Sequence, residues 1–161
     1  MRADSATSEQ ESDAAFALSP GDTGLCEELI PLLDRADFQE LADRVFRRHF
    51  ERLESQTRKF PDSAMLHNNI AWLAARSHRN LDEALKHADR AVALTPANAG
   101  HIDTLAEVQF HRGEREAALH TASRALELAP AKKHHTQQLN RFQTDPLPTG
   151  SSTAIQEAPE S

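Results

Sequence analysis

Histidine is the residue type most able to do chemistry in this chain, with nine copies among 161 residues. Imidazole nitrogens bind transition metals and exchange protons near neutral pH. His134 and His135 are adjacent and point in different directions from a helix, while His111 and His120 are expected to face solvent on separate helices. Because metal ligands must converge on one point, this spacing predicts no metal site.

Cys26 is the only cysteine, so the chain has no intramolecular disulfide and no multi-cysteine zinc site. A cysteine can act as a nucleophile, but no base is identifiable near this one, and an incidental cysteine is the better interpretation. The glycines do not cluster into a phosphate-binding loop, and no helix carries paired histidines with an intervening glutamate. The sequence therefore predicts a protein that is not an enzyme and needs no cofactor or small-molecule substrate.

The net charge of −7 comes from the two ends of the chain. Residues 1–34 hold eight acidic residues against Arg2 alone, and residues 35–143 sum to +3. Residues 1–24 and the Pro/Ser-rich residues 144–161 are predicted to be disordered, because they cannot bury enough apolar surface to offset chain entropy. The N-terminus lacks the charged start and apolar run of a secretory signal, and no stretch is apolar enough for a membrane span. A cytoplasmic protein without a membrane partner is expected.

The first helical signals lie in residues 25–60. Residues 25–33, "LCEELIPLL", predict one or two helical turns limited by Pro31. A long helix is predicted from Asp37 to Lys59, since its apolar residues recur at three- and four-residue steps. This stripe consists of Phe38, Leu41, Val45, Phe46, Phe50 and Leu53. The opposite face carries Arg44, Arg47, Arg48, Arg52 and Arg58. Acidic residues interrupt this basic face and no aromatic stacking pattern accompanies it, so no nucleic-acid partner is predicted.

An internal repeat occupies residues 62–130. Pro61, Pro96 and Pro130 mark boundaries 35 and 34 residues apart, and each interval reads as helix, short turn, helix. The two copies, residues 62–96 and 97–130, match as follows: Ile70 and Ala71 with Leu105 and Ala106, Ala84 and Leu85 with Ala118 and Leu119, and Ala88, Ala91, Val92 and Leu94 with Ala122, Ala125, Leu126 and Leu128. The repeated alanines lie where helices cross, because a methyl side chain lets two helix axes approach closely.

Capping and turn residues support the same boundaries. Asp62 or Ser63 is predicted to cap the first helix of the first copy, and Asn98 that of the second. Gly113 supplies permissive backbone in the turn of the second copy, and Asn80 is the candidate for that role in the first. Both copies therefore predict a helix pair.

These residues resemble the tetratricopeptide repeat family. Asn69, "LDEAL" at residues 81–85 and "RALELAP" at residues 124–130 are similar to its pattern. The usual tryptophan is replaced by His67 and Ile102, and the usual tyrosine by Ala74 and Gln109. The resemblance implies an all-α fold, a short right-handed α-solenoid of helix pairs. Within a helical domain of residues 25–143, residues 25–60 are predicted to form a degenerate upstream unit with the long helix, and residues 131–143 a C-terminal capping helix.

In such a stack the first helices line a concave groove, which predicts a site for another protein. The candidate residues are Met65, Asn68, Asn69, Trp72, Asp103, Glu107, Phe110, Gln137 and Arg141. Asp103 and Glu107 are four residues apart, and such an acidic pair beside Trp72 suits a basic or amphipathic peptide or helix. These acids argue against the terminal-carboxylate ligand that some members of the family bind. In the alternative interpretation Trp72 packs under the upstream helix, and the two acids pair with Arg141 or Arg76.

Two functions follow from this interpretation. The first is a non-enzymatic interaction module that binds a peptide or helix of a partner protein in the groove. The second is a structural segment of a larger repeat assembly that packs or self-associates through the helix of residues 37–59, where Phe46 and Phe50 are the candidate contacts.

Overall fold

A computed structural model describes residues 23–148 of the chain, with side chains from Glu28 onward. Within these residues all regular structure is helical, which confirms the all-α prediction. The helices are α1 (Thr23–Arg35), α2 (Gln39–Lys59), α3 (Ala64–Ser77), α4 (Leu81–Leu94), α5 (Ala99–His111), α6 (Arg115–Leu128) and α7 (Lys133–Thr144). None of them is long and apolar enough to cross a membrane. The segments predicted to be disordered, residues 1–24 and 144–161, lie mostly outside the described residues. Of the described part, residues 23–24 belong to α1 and residue 144 to α7.

The described residues divide into two compact units, one up to residue 49 and one from residue 50 onward, with the boundary inside α2. In the first unit, α1 runs through Pro31 to Arg35, so the prediction that this proline limits the segment to one or two turns was wrong. An interior proline removes one helical hydrogen bond and its ring crowds the preceding turn, but α1 continues for four residues beyond it. Ile30, the residue before it, is fully buried.

A tight turn joins α1 to α2. Asp37 takes a left-handed backbone conformation with φ 61°, and the Phe38 N–H donates to the Leu33 carbonyl at 2.9 Å. The helix therefore begins at Gln39, and Phe38 lies outside it with 55% of its surface exposed, contrary to its predicted place in the apolar stripe. Most of the stripe is buried as predicted: Val45, Phe46, Phe50 and Leu53. The five arginines of the opposite face are exposed.

The second unit contains two consecutive helix pairs that coincide with the sequence repeat. Ser63 caps α3 through a bond from the Leu66 N–H, and Asn98 caps α5 through bonds from Gly100 and His101. Asn80 and Gly113 both have positive φ, at 50° and 85°, which confirms their predicted roles in the two turns. The turn of the first pair, one residue longer, carries a second left-handed residue, His78.

Small buried residues mark the contacts between these helices. α3 packs on α4 and on α5, α4 packs on α5, α5 on α6 and α6 on α7. The repeated alanines are all 0–1% exposed: Ala71, Ala84, Ala88, Ala91, Ala106, Ala118, Ala122 and Ala125. Their burial confirms that methyl-sized side chains occupy the helix contacts.

The last helix, α7, covers most of the predicted capping segment. Phe142 is fully buried and forms a core cluster with Ala106, Phe110, Ala118 and Ala122. Asn140 aligns with Ala71 and Ala106 in the sequence repeat, but it is exposed. A polar residue there is consistent with a helix that has no further neighbour on that side.

Candidate functional site

The predicted groove residues on α3 form an accessible surface. Met65 is 63% exposed, and Asn68, Asn69 and Trp72 are half-buried. The exposed Arg76 guanidinium lies 5.7 Å from the centre of the Trp72 ring, a cation–π arrangement. A thioether, two amides and an indole can contact an amphipathic helix through apolar area and hydrogen bonds together. We call Met65, Asn68, Asn69 and Trp72 the α3 surface.

The predicted residues on α5 have a different environment, because they are buried. Asp103 is 5% exposed and accepts hydrogen bonds from His134 Nε2 at 3.1 Å and from His135 Nδ1 at 2.8 Å. A carboxylate carries no proton to donate, so both imidazoles are the donors. Asp103 is therefore tied to the start of α7, and its oxygens face the chain itself.

Glu107 is bound in a similar way one turn along α5. It accepts hydrogen bonds from His111 Nε2 at 3.1 Å and Gln138 Nε2 at 3.0 Å, and it forms an ion pair with Arg141. Burial alone would raise the pKa of the Glu107 carboxyl, but the bond from His111, the charge of Arg141 and the bond from Gln138 together lower it. Glu107 is thus held as a buried carboxylate.

An aromatic contact continues this network. Phe110 is 2% exposed and stacks on Phe142 with ring centres 4.6 Å apart. The Arg141 guanidinium lies over both rings, 5.3 Å from the centre of Phe110 and 4.8 Å from that of Phe142. Arg115 of α6 donates to the backbone carbonyls of Phe142 and Asp145. We call the contacts of Asp103, Glu107 and Phe110 with α7 the α5–α7 seam.

His111 belongs to this seam, and the prediction that it faces solvent was wrong. Its side chain is 8% exposed, and its ring lies 4.2 Å from that of His78. The reason is its position one helical turn after Glu107, which brings the imidazole against the buried carboxylate. His120 is exposed, as expected.

The structure therefore separates the predicted groove residues into two groups. Met65, Asn68, Asn69 and Trp72 are accessible to a partner, as is the exposed Gln137. Asp103, Glu107 and Phe110 bind Arg141 and its neighbours on α7. The pairing of Glu107 with Arg141 is the one that the alternative interpretation named, and Trp72 is only half-buried.

Sequence reasoning missed His134, His135 and Gln138 as partners of the two acids. The prediction that His134 and His135 point in different directions was wrong, since both bind Asp103. One signal was present: His135, Gln138 and Arg141 recur at three-residue steps on α7, as Asp103 and Glu107 recur one turn apart on α5. Complementary polar stripes of this kind indicate facing helices. Neither stripe alone identifies the helix that it faces.

Comparison with models of known protein families and with curated proteins finds no match to this chain.

Proposed function

We propose that this chain is a non-enzymatic protein-interaction module, a short right-handed solenoid of tetratricopeptide-like helix pairs that binds a peptide or helix of another protein. The observation that carries the proposal is the repetition of structure with sequence: two helix pairs, each with its cap, its left-handed turn and its buried alanines at matching positions. Successive pairs of this kind bury a continuous core and leave the first helices to form a recognition surface.

The α3 surface is the proposed contact. It combines an exposed thioether with a half-buried indole and two amides, and Arg76 extends it with a positive charge. Large aromatic and methionine side chains are favoured at the centres of protein interfaces. The acids on α5 are already bound to α7, so they do not select a basic partner. An amphipathic segment, with an acidic group placed to meet Arg76, is the ligand class that this surface fits.

Site-specific photo-crosslinking in cells tests the proposal. A photoreactive residue at Met65 is expected to capture a discrete partner, whereas one at Glu116, which is exposed on α6, is the matched control. Capture of the same proteins from both positions would contradict the proposal.

A purified partner then allows a direct measurement, because Trp72 is the only tryptophan of the chain. Its fluorescence is expected to change on titration with the partner segment, and Met65→Glu is expected to weaken that binding without unfolding the chain. An unchanged spectrum at saturating partner would place the contact elsewhere.

Self-association through α2 was the alternative. Phe46 and Phe50, its expected contacts, are 0% and 6% exposed, so they offer little surface to a second copy. Light scattering over a concentration series distinguishes the two functions, since the interaction module is expected to keep a constant mass. A cytoplasmic location remains a prediction.

A further inference from the structure

A second cluster of ligand-type side chains lies away from the seam, in the unit from residue 50 onward. Glu54 of α2 meets Glu83 and His87 of α4, and one ligand atom from each lies within 4.8 Å of the other two. Glu83 and His87 are four residues apart on α4, so they share one helix face. His87 Nε2 and Glu83 Oε1 are 3.9 Å apart. All three side chains are half-buried.

The hydrogen bonds behind His87 fix which of its nitrogens is available. His67 Nε2 lies 3.0 Å from the Pro61 carbonyl oxygen, which can only accept, so this nitrogen carries the proton. His67 Nδ1 lies 2.8 Å from His87 Nδ1, and in the tautomer that carries its proton on Nε2 it accepts a hydrogen bond there. In that arrangement His87 donates from Nδ1. Its other nitrogen, Nε2, then carries the lone pair, and it lies 3.9 Å from Glu83 Oε1.

This arrangement brings three electron-pair donors together, two carboxylate oxygens and one imidazole nitrogen. Burial, followed by the charge of the neighbouring His67, lowers the pKa of His87 from its ordinary value. The outer carboxylate oxygens have cationic neighbours: Lys86 Nζ lies 2.7 Å from Glu83 Oε2, and Arg58 lies 3.8 Å from Glu54 Oε2. These exposed cations balance part of the charge but do not contact the His87 lone pair in the described structure.

We propose that Glu54, Glu83 and His87 bind one divalent transition-metal ion of the zinc class, with His67 as a positioning residue. Imidazole nitrogen favours Zn²⁺, Co²⁺ or Ni²⁺ over Mg²⁺ and Ca²⁺, while the two carboxylates supply the charge. Water completes a four-coordinate shell at metal–ligand distances of about 2.0–2.2 Å. Tetrahedral ligands at these distances lie about 3.3–3.6 Å from one another, so a bound ion would draw the ligand atoms closer together than they are here.

The relay from His87 through His67 to the Pro61 carbonyl is the arrangement that orients metal-binding histidines. Such ligands donate their second ring N–H to an outer group, which fixes the tautomer and the ring plane. A bound ion would connect residue 54 of α2 to α4 within one unit, and thereby stabilise that contact. This inference goes beyond the proposed interaction function, because it concerns none of the α3 surface residues.

The test is calorimetric titration of the full chain with Zn²⁺ at pH 7. One site is expected, and the single variants Glu54→Gln, Glu83→Gln and His87→Gln are each expected to lose at least about tenfold in affinity. His120→Gln and Glu116→Gln remove exposed residues of the same types on α6 and serve as matched controls with unchanged affinity. Circular dichroism checks that each variant retains its helices.

His67→Gln separates the positioning role from direct ligation. Loss of an outer partner lowers metal affinity by about 10–100-fold while the one-to-one stoichiometry is kept. Zn²⁺ is also expected to raise the thermal midpoint of the wild type but not that of His87→Gln. No Zn²⁺ binding by the wild type, or unchanged affinity in all three ligand variants, would overturn the proposal, as adventitious binding by other histidines would then account for any signal.

Discussion

Helix α5 contacts α3 and α7 in different ways. Helices α3 and α5 approach closely along their backbones, and each carries a fully buried alanine at the same repeat position, Ala71 on α3 and Ala106 on α5. At the α7 contact close backbone approaches are few, and the α5–α7 seam of charged, amide and aromatic side chains bridges the two helices. Matching positions of the repeat thus have different surroundings: Trp72 is half-buried on α3, whereas Glu107 is bound on α5.

This difference shows how a repeat can end. Small residues let helices pack closely without particular polar partners, so each repeat can form the same contact with the next one. A polar seam depends on particular partners, because each buried charge must be paired and hydrogen-bonded. The α5–α7 seam therefore fixes α7 in one register, while the opposite face of α7 presents Asn140 to solvent.

The largest expected loss of stability comes from breaking the aromatic contact of the α5–α7 seam. Phe142→Ala removes a fully buried ring that stacks on Phe110, and it is expected to lower the free energy of unfolding by about 3–5 kcal/mol. Phe60→Ala is the matched control, since Phe60 is 62% exposed and its truncation is expected to change little. Urea denaturation followed by circular dichroism measures both. Equal losses would show that α7 does not depend on this stack.

A reciprocal exchange tests the polar part of the comparison. Asp103→Asn removes the charge that His134 and His135 bind, and the expected loss in unfolding free energy is about 1.5–3 kcal/mol. Asn68→Asp puts a carboxylate at the matching position on α3, where the buried Asn68 Oδ1 has no hydrogen-bond partner among the described residues. This variant is also expected to be destabilised, because the new charge lacks donors. If Asn68→Asp left the free energy of unfolding unchanged, the surroundings of this position on α3 would accept a charge as those of Asp103 on α5 do.

Overpacking tests the small-residue contact. Ala106→Leu adds bulk at a fully buried position and is expected to cost about 1–3 kcal/mol of stability. Asn140→Leu makes the equivalent addition on α7, where the side chain is exposed, and it is expected to leave the thermal midpoint nearly unchanged. A similar fall in both midpoints would contradict the expectation that Asn140 lies outside the close-packed helix contacts.

The smallest expected effect is a pH dependence of the seam. Because the pKa of Glu107 is lowered on folding, the folded state binds a proton less readily than the unfolded chain. Its stabilising contribution is complete above the unfolded value of about 4.5 and is lost as pH falls through the folded value. The difference in thermal midpoint between wild type and Glu107→Gln is therefore expected to shrink below that pH. A difference that stays constant from pH 7 to pH 3 would exclude this role for the charge.

Local structure followed closely from the sequence. The long helix ends at Lys59 as predicted, Ser63 and Asn98 form the expected caps, and Asn80 and Gly113 take the expected backbone conformations. These features depend on residues within a few positions of each other, so their signals are local. The two errors are also local. Pro31 did not end α1, because its neighbours favour a helix, and α2 began at Gln39, just after Phe38.

What the sequence by itself determined about this protein is where its helices lie and which faces carry alanine, because both depend on a period of a few residues. Tertiary structure alone decided which polar residues meet. Asp103 finds His135 across 32 positions, and His87 finds His67 across 20. The sequence of a helix predicts that one face is polar, but it does not predict which residues contact that face, since this depends on how another helix packs.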